Sequence, residues 1–173
     1  RLRYPSLQGD SEALLGRFAL LGVRSEVHEE GILLRHEAAP NIEEMRWEFN
    51  SCPDLVPSFA VLGCALELPF HFRGVAHLRL KESDRLSALV TELAKLGYGL
   101  KLAADSLSYD GRPTKLTAGA PLPTLATYRD HRMAMALALL ALKHPGLQIA
   151  DAEVVAKSFP SYWQQLDPVL QLR

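Results

Sequence analysis

The chain is 173 residues long and 48% apolar, and its 19 basic side chains nearly cancel 20 acidic ones, leaving a formal net charge of −1. That is enough chain for one soluble globular domain with a substantial core, or for a piece of a larger one, and it lacks the clustered Lys/Arg excess of a nucleic-acid footprint. The longest apolar run, Met133 to Leu142, is far too short to span a bilayer and reads as a buried helix.

No secretory signal precedes the first expected strand, Leu2 to Tyr4, and a start at Arg1 rather than Met is compatible with sequence lost upstream. An amphipathic helix follows, up to Leu21-Gly22. Val23 to His28 and Gly31 to Arg35 then form two short strands around a Glu-Glu-Gly turn. A second helix is expected over Leu55 to Leu66. An apolar strand at His77 to Leu80 hands over to a helix in which Leu86, Leu89, Val90, Leu93 and Leu96 recur at helical spacing, with Gly97 as its stop. Gly99 to Ala103 and Ser106 to Tyr109 make another strand pair, broken at Ala-Asp. Pro113 to Pro123 reads as a strand and loop, His131 to Leu142 as a helix buried nearly all round, and Phe159 to Leu170 as a closing helix with Pro160 in its first turn.

The order of elements is that of an internal repeat. Leu2-Arg3-Tyr4 recurs as Leu78-Arg79-Leu80, Leu21-Gly22-Val23 as Leu96-Gly97-Tyr98, and Asp54 as Asp130, at offsets of 75 or 76 residues. Two units, about 1–76 and 77–173, are expected. Cys52 and Cys64 lie in apolar surroundings without metal-ligand spacing and read as free buried thiols.

Lys81-Glu-Ser-Asp-Arg85 places four charges in five residues at an element junction, which points to a small anionic ligand. Glu82 and Arg85 are three apart and Lys81 and Arg85 four apart, so all three can face one pocket around the first helical turn, where free N–H groups and the helix dipole favour an anion. Asp130-His131-Arg132 repeats the arrangement at the next helix start, with Asp130 placed as N-cap. Taken singly, each signal has an ordinary explanation. Glu82 with Arg85 is a common surface pair, the Arg132 stem can cover apolar surface, Asp54 suits an N-cap as well as catalysis, and Lys157 reads as a solvated lysine. His71, His77 and His131 have no metal-like spacing.

Together the motifs match a family. His77-Leu-Arg-Leu-Lys-Glu-Ser-Asp-Arg-Leu86, Asp130-His-Arg-Met-Ala-Met135 and Ala156-Lys-Ser-Phe-Pro160 resemble, in order and spacing, the C-terminal portion of the 5-enolpyruvylshikimate-3-phosphate synthase family. Pro53-Asp-Leu-Val-Pro57 is similar to that family's aspartate-bearing helix start, and Leu7-Gln-Gly-Asp10 to its preceding unit. The resemblance covers essentially the whole chain.

That resemblance implies an α+β fold (α/β by some schemes) of repeated βαβαββ units, part of an inside-out α/β barrel with helices enclosed by sheets. It implies a cytoplasmic transferase of the shikimate route to chorismate and aromatic amino acids. The enzyme would move the enolpyruvyl group of phosphoenolpyruvate to the 5-hydroxyl of 3-phosphoshikimate, with no cofactor and no metal. By the same resemblance Arg85, Arg132 and Lys157 hold phosphoenolpyruvate, and Asp54, His77 and Lys81 border 3-phosphoshikimate. His77 departs from the asparagine of some members. Asp54 and Glu82 are the catalytic carboxylates. Family members run to more than twice this length, so the partner N-terminal domain is expected to be absent and these residues alone to be inactive. The rival expectations are a UDP-N-acetylglucosamine enolpyruvyl transferase, an RNA-terminal-phosphate cyclase-like protein, and a non-catalytic small-anion binding module.

Overall fold

Strand β4 (Phe70–Arg73) anchors the fold because its residues alternate: Phe70 and Phe72 point into the core, while His71 and Arg73 face outward. The computed structural model describes residues 10–29 and 31–171. Around β4 lies a mixed four-stranded sheet in the order β3 (Met45–Glu48), β4, β6 (Ser106–Tyr109), β5 (Lys101–Leu102), with β3 parallel to β4 and the other two pairings antiparallel. The hairpin of β1 (Val23–His28) and β2 (Gly31–His36) and the parallel pair β7 (Thr124–Leu125) and β8 (Gln148–Ile149) form two further small sheets.

The inner face of the large sheet is covered by α2 (Val56–Leu66), whose Gly63 permits the approach. A Cβ there would lie 2.7 Å from Met45 Cε and 2.7 Å from Phe70 Cδ1. Phe59 of α2 meets Trp47 edge to face at 4.9 Å, and Phe70 stacks on Phe72 at 4.3 Å. Each such buried ring contributes about 1.5–3 kcal/mol. α2 in turn packs against α3 (Arg85–Ala94) and α4 (His131–Ala138). The expectation of a helix buried nearly all round at His131 to Leu142 agrees with α4, which exposes little and continues as a 3₁₀ turn over Leu139–Leu142. α1 (Asp10–Leu20) is stapled from outside: the Arg17 guanidinium lies 4.1 Å over the Phe49 ring and donates to the Glu48 carbonyl at 2.7 Å. α5 (Tyr162–Gln171) closes the chain. The fold is therefore mixed α+β, and none of the described helices is long and apolar enough to cross a membrane.

Several sequence expectations hold closely. The β1–β2 hairpin lies where expected, and α3 stops at Gly97, whose φ of +86° and contact with the Thr114 carbonyl leave no room for a side chain. Cys52 and Cys64 are buried free thiols. Others need correction. His77 to Leu80 is not a strand but part of a 3₁₀ turn, Ala76–Leu80, in which only Leu78 is buried and Leu80 is 89% exposed. The strand ends earlier because Gly74 (φ +69°) bends the chain, and Asp105 accepts from the Gly74 and Ala76 N–H groups. Between Pro113 and Pro123 no strand forms; pairing begins at Thr124, where β8 offers a partner. Pro160 lies before α5 rather than in its first turn, and Pro168 sits inside it. The expected strand Leu2 to Tyr4, and Leu7 to Gly9, fall outside the described residues.

Candidate active site

Arg85 opens α3 yet points inward, with a side chain only 1% exposed. Asp84 caps the helix by accepting the Ser87 N–H at 3.0 Å, which fixes the first turn and so the direction of Arg85. A buried guanidinium requires partners for its donors, and three carboxylates provide them. Nε donates to Asp130 Oδ2 at 2.7 Å, Nη1 to Asp54 Oδ1 at 2.8 Å, and Nη2 to Glu82 Oε2 at 2.7 Å.

Each carboxylate then reaches a further group. Asp54 Oδ2 pairs with Arg132 Nη2 at 2.8 Å, and Glu82 Oε1 lies 3.5 Å from Lys157 Nζ. Asp130, fully buried, accepts the Arg132 N–H at 2.9 Å as the N-cap of α4 and the Ser83 hydroxyl at 3.2 Å. The cluster runs from a closed floor, Arg85 and Asp130, through half-buried Asp54 and Arg132 to an open rim at Lys157, whose side chain is 65% exposed. Three cations and three anions alternate across it.

Of the residues singled out from sequence, Asp54, Glu82, Arg85, Arg132 and Lys157 therefore come together from widely separated stretches. Lys81 and His77 do not join them: Lys81 is exposed in the bend before α3, His77 is half-buried in the preceding 3₁₀ turn, and among the described residues neither forms an ion pair with the cluster. Lys81 and Glu82 precede the helix, so the i,i+4 geometry does not apply to them. Asp54 is not an N-cap either. It sits in a 3₁₀ turn, Pro53–Leu55, with no side-chain capping bond, and its oxygens are spent on the two arginines. Ser83 and the bond between Asp130 and Arg85 escaped the sequence reading, because residues 45 apart leave no local spacing signal.

Electrostatics follow the geometry. The Glu82 carboxyl is held below its usual range, first by its own backbone N–H and then by Arg85 and Lys157, against desolvation and the charge of Asp130. Burial pushes Asp130 up, but the bonds from Arg85, the Arg132 amide and Ser83 outweigh it and bring it below the ordinary value. Arg85 is driven further into its charged form by Asp130, Asp54 and Glu82 despite burial. Each nitrogen of its guanidinium already bonds a protein carboxylate, so an incoming anion competes with Asp54 and Glu82 for it.

The family model for EPSP synthase (3-phosphoshikimate 1-carboxyvinyltransferase) matches residues 2–166, a span that holds the whole cluster. The chain belongs to the EPSP synthase family. The 3-phosphoshikimate 1-carboxyvinyltransferases of Bacteroides fragilis (strain YCH46) and Syntrophobacter fumaroxidans are 44% and 39% identical to it over 162 residues. Those alignments take in 93% and 94% of this chain but 38% and 37% of the relatives, so the chain spans little more than a third of the EPSP synthases it matches. Among solved structures, EPSP synthase from Acinetobacter baumannii shares the fold with a TM-score of 0.68 at 20% identity, over 96% of this chain and 40% of that one.

Proposed function

We propose that the Arg85 cluster is the phosphoenolpyruvate-binding side of an EPSP synthase active site, within the C-terminal portion of such an enzyme. In this reading the chain comprises two βαβαββ units, about 1–76 and 77–173, of an inside-out α/β barrel in a cytoplasmic enzyme. The observation that carries it is the convergence of Arg85, Arg132 and Lys157, from three separate elements, on the carboxylates of Asp54 and Glu82.

Phosphoenolpyruvate carries a carboxylate and a phosphate on one three-carbon frame, so its site needs fixed cations in more than one direction. Two guanidinium forks and an ammonium meet that need, and the forks add bidentate geometry. The ligand's anionic groups take the places of Asp54 and Glu82 on the cations. The 5-hydroxyl oxygen of 3-phosphoshikimate attacks C2 of phosphoenolpyruvate while the methylene carbon gains a proton. The C2–O bond to phosphate then breaks as that carbon gives the proton up. Glu82 handles the methylene proton, and Asp54 accepts the proton of the hydroxyl. Ligand binding itself acts on Glu82: its backbone N–H, the largest influence on the carboxyl, stays in place, but as Arg85 and Lys157 turn to the ligand their lesser pull weakens and the ligand's own negative charge raises the proton affinity of Glu82. Lys81 and His77 border 3-phosphoshikimate rather than phosphoenolpyruvate, in keeping with their place outside the cation cluster. Turnover requires a second wall of ligands, because orientation and preorganised charge on both sides of the reacting atoms supply most of the rate. The isolated chain is accordingly inactive.

The test is phosphate release from phosphoenolpyruvate by the gene product that contains these residues, offered either 3-phosphoshikimate or UDP-N-acetylglucosamine. Activity with the first alone, abolished by Glu82→Gln, agrees with the proposal. Activity with the second rejects the acceptor assignment, and indifference to Glu82→Gln rejects the catalytic one in favour of a binding module.

A further inference from the structure

A second buried acid sits two turns beyond Arg85 on the same face of α3. Glu92 is 1% exposed, and its carboxylate reaches across to the segment that leads into α4. Oε2 accepts the Ala126 N–H at 2.8 Å and pairs with Lys95 Nζ at 2.6 Å, while Oε1 accepts the Tyr128 hydroxyl at 2.9 Å. The segment between is strained. Tyr128 and Arg129 both take left-handed backbone conformations, with φ of +54° and +56°, although neither is glycine. Two successive residues of that kind persist only where their surroundings hold them. Burial of the Tyr128 ring does not suffice, since the residue is 43% exposed; its hydroxyl is the tethered end. The turn closes with the Asp130 N–H donating to the Thr127 carbonyl at 3.0 Å, and Asp130 is the floor of the cation cluster.

We propose that Glu92 and Tyr128 are positioning residues: together they hold the left-handed turn Thr127–Asp130 so that the Asp130 carboxylate meets Arg85 and the Arg132 amide at once. The role rests on the reading of the Arg85 cluster as a phosphoenolpyruvate site. α3 thus grips the approach to α4 at two levels, Glu92 on the residues just past β7 and Arg85 on the cap. Burial pushes the Tyr128 hydroxyl up, and its bond to Glu92 pushes it in the same direction, so the phenol keeps the proton that it donates.

The test compares Tyr128→Phe and Glu92→Gln with Tyr162→Phe. The control removes another tyrosine hydroxyl, one that donates to the Met135 carbonyl of α4 at 2.7 Å, away from Asp130. Asp130 faces Arg85, Ser83 and the Arg132 amide, so its carboxyl resonance, followed by NMR through an acid titration of the free chain, reports whether those contacts survive. The expected result is an upward move of the Asp130 titration in Tyr128→Phe and Glu92→Gln, with none in Tyr162→Phe even where its thermal stability falls as far. Phosphoenolpyruvate binding should weaken about tenfold in the first two variants. An Asp130 titration unchanged in Tyr128→Phe overturns the proposal, and that variant decides the matter should Glu92→Gln not fold. Should the unaltered chain bind no phosphoenolpyruvate, the site assignment fails, while the Asp130 titration still decides the positioning role.

Discussion

The Nε of Arg85 and the Oδ2 of Asp130 lie 2.7 Å apart with both side chains out of solvent, so the base of the cluster is an ion pair that neither partner can leave singly. Removing Asp130 deprives the buried Arg85 of its one fully buried counter-charge and leaves Nε without its acceptor, although Asp54 and Glu82 still pair with it. Asp130→Asn should cost about 3–5 kcal/mol of stability at neutral pH, read from denaturant unfolding. The sign of the pH dependence follows from the depressed folded-state titration of Asp130. The carboxylate's contribution is complete above its ordinary value of 3.8 and is lost as pH falls through the lower folded value. The deficit of the variant should therefore narrow in acid, below about pH 4. A constant deficit across that range would place the stabilisation elsewhere.

Arg85→Lys should be far from conservative. The guanidinium serves three carboxylates in three directions through Nε, Nη1 and Nη2, whereas an ammonium on a flexible stem cannot reach all of them. Loss of at least about 2 kcal/mol is expected, with phosphoenolpyruvate affinity falling by roughly tenfold or more. Calorimetry with and without the ligand checks both.

Asp54→Asn carries the opposite expectation for binding. Asp54 occupies Arg85 Nη1 and Arg132 Nη2, the donors that an anion would use. Neutralising it should tighten phosphoenolpyruvate or inorganic phosphate binding several-fold, while catalysis by the complete protein is lost. Weaker binding in isothermal titration would show that Asp54 helps to hold the ligand rather than competing with it.

How the sequence foreshadowed this site is instructive in its unevenness. The leucine spacing from Leu86 to Leu96 and the stop at Gly97 gave α3, because helix period and a left-handed glycine are local properties. The resemblance of three short motifs singled out the cations and carboxylates that now stand together. What eluded the reading was non-local. Which carboxylate meets which cation depends on the crossing of α2, α3 and α4, and the four residues of Phe70–Arg73 are too few to stand out as a strand beside the apolar letters at His77 to Leu80. By spacing alone Lys81 reads as part of a helical face, whereas α3 begins only at Arg85. Glu92 is invisible for a similar reason: its local partner Lys95 reads as an ordinary i,i+3 surface pair, and the Ala126 and Tyr128 donors that reveal its burial lie more than thirty residues ahead.

Lys157 separates binding from stability. Its pairing with Glu82 is long, 3.5 Å, and both side chains are more than a third exposed, so the bond contributes little to the fold. Lys157→Ala should leave the melting temperature nearly unchanged while weakening phosphoenolpyruvate binding and flattening its salt dependence. A large stability loss would mean that the rim, too, is structural.

The most direct test of the central claim is titration of this chain with phosphoenolpyruvate, alongside the Arg132→Ala variant. The account predicts weak saturable binding, roughly in the millimolar range, that competes with inorganic phosphate and disappears in Arg132→Ala. Absence of binding at concentrations well above that range, or equal binding by the variant, would contradict it.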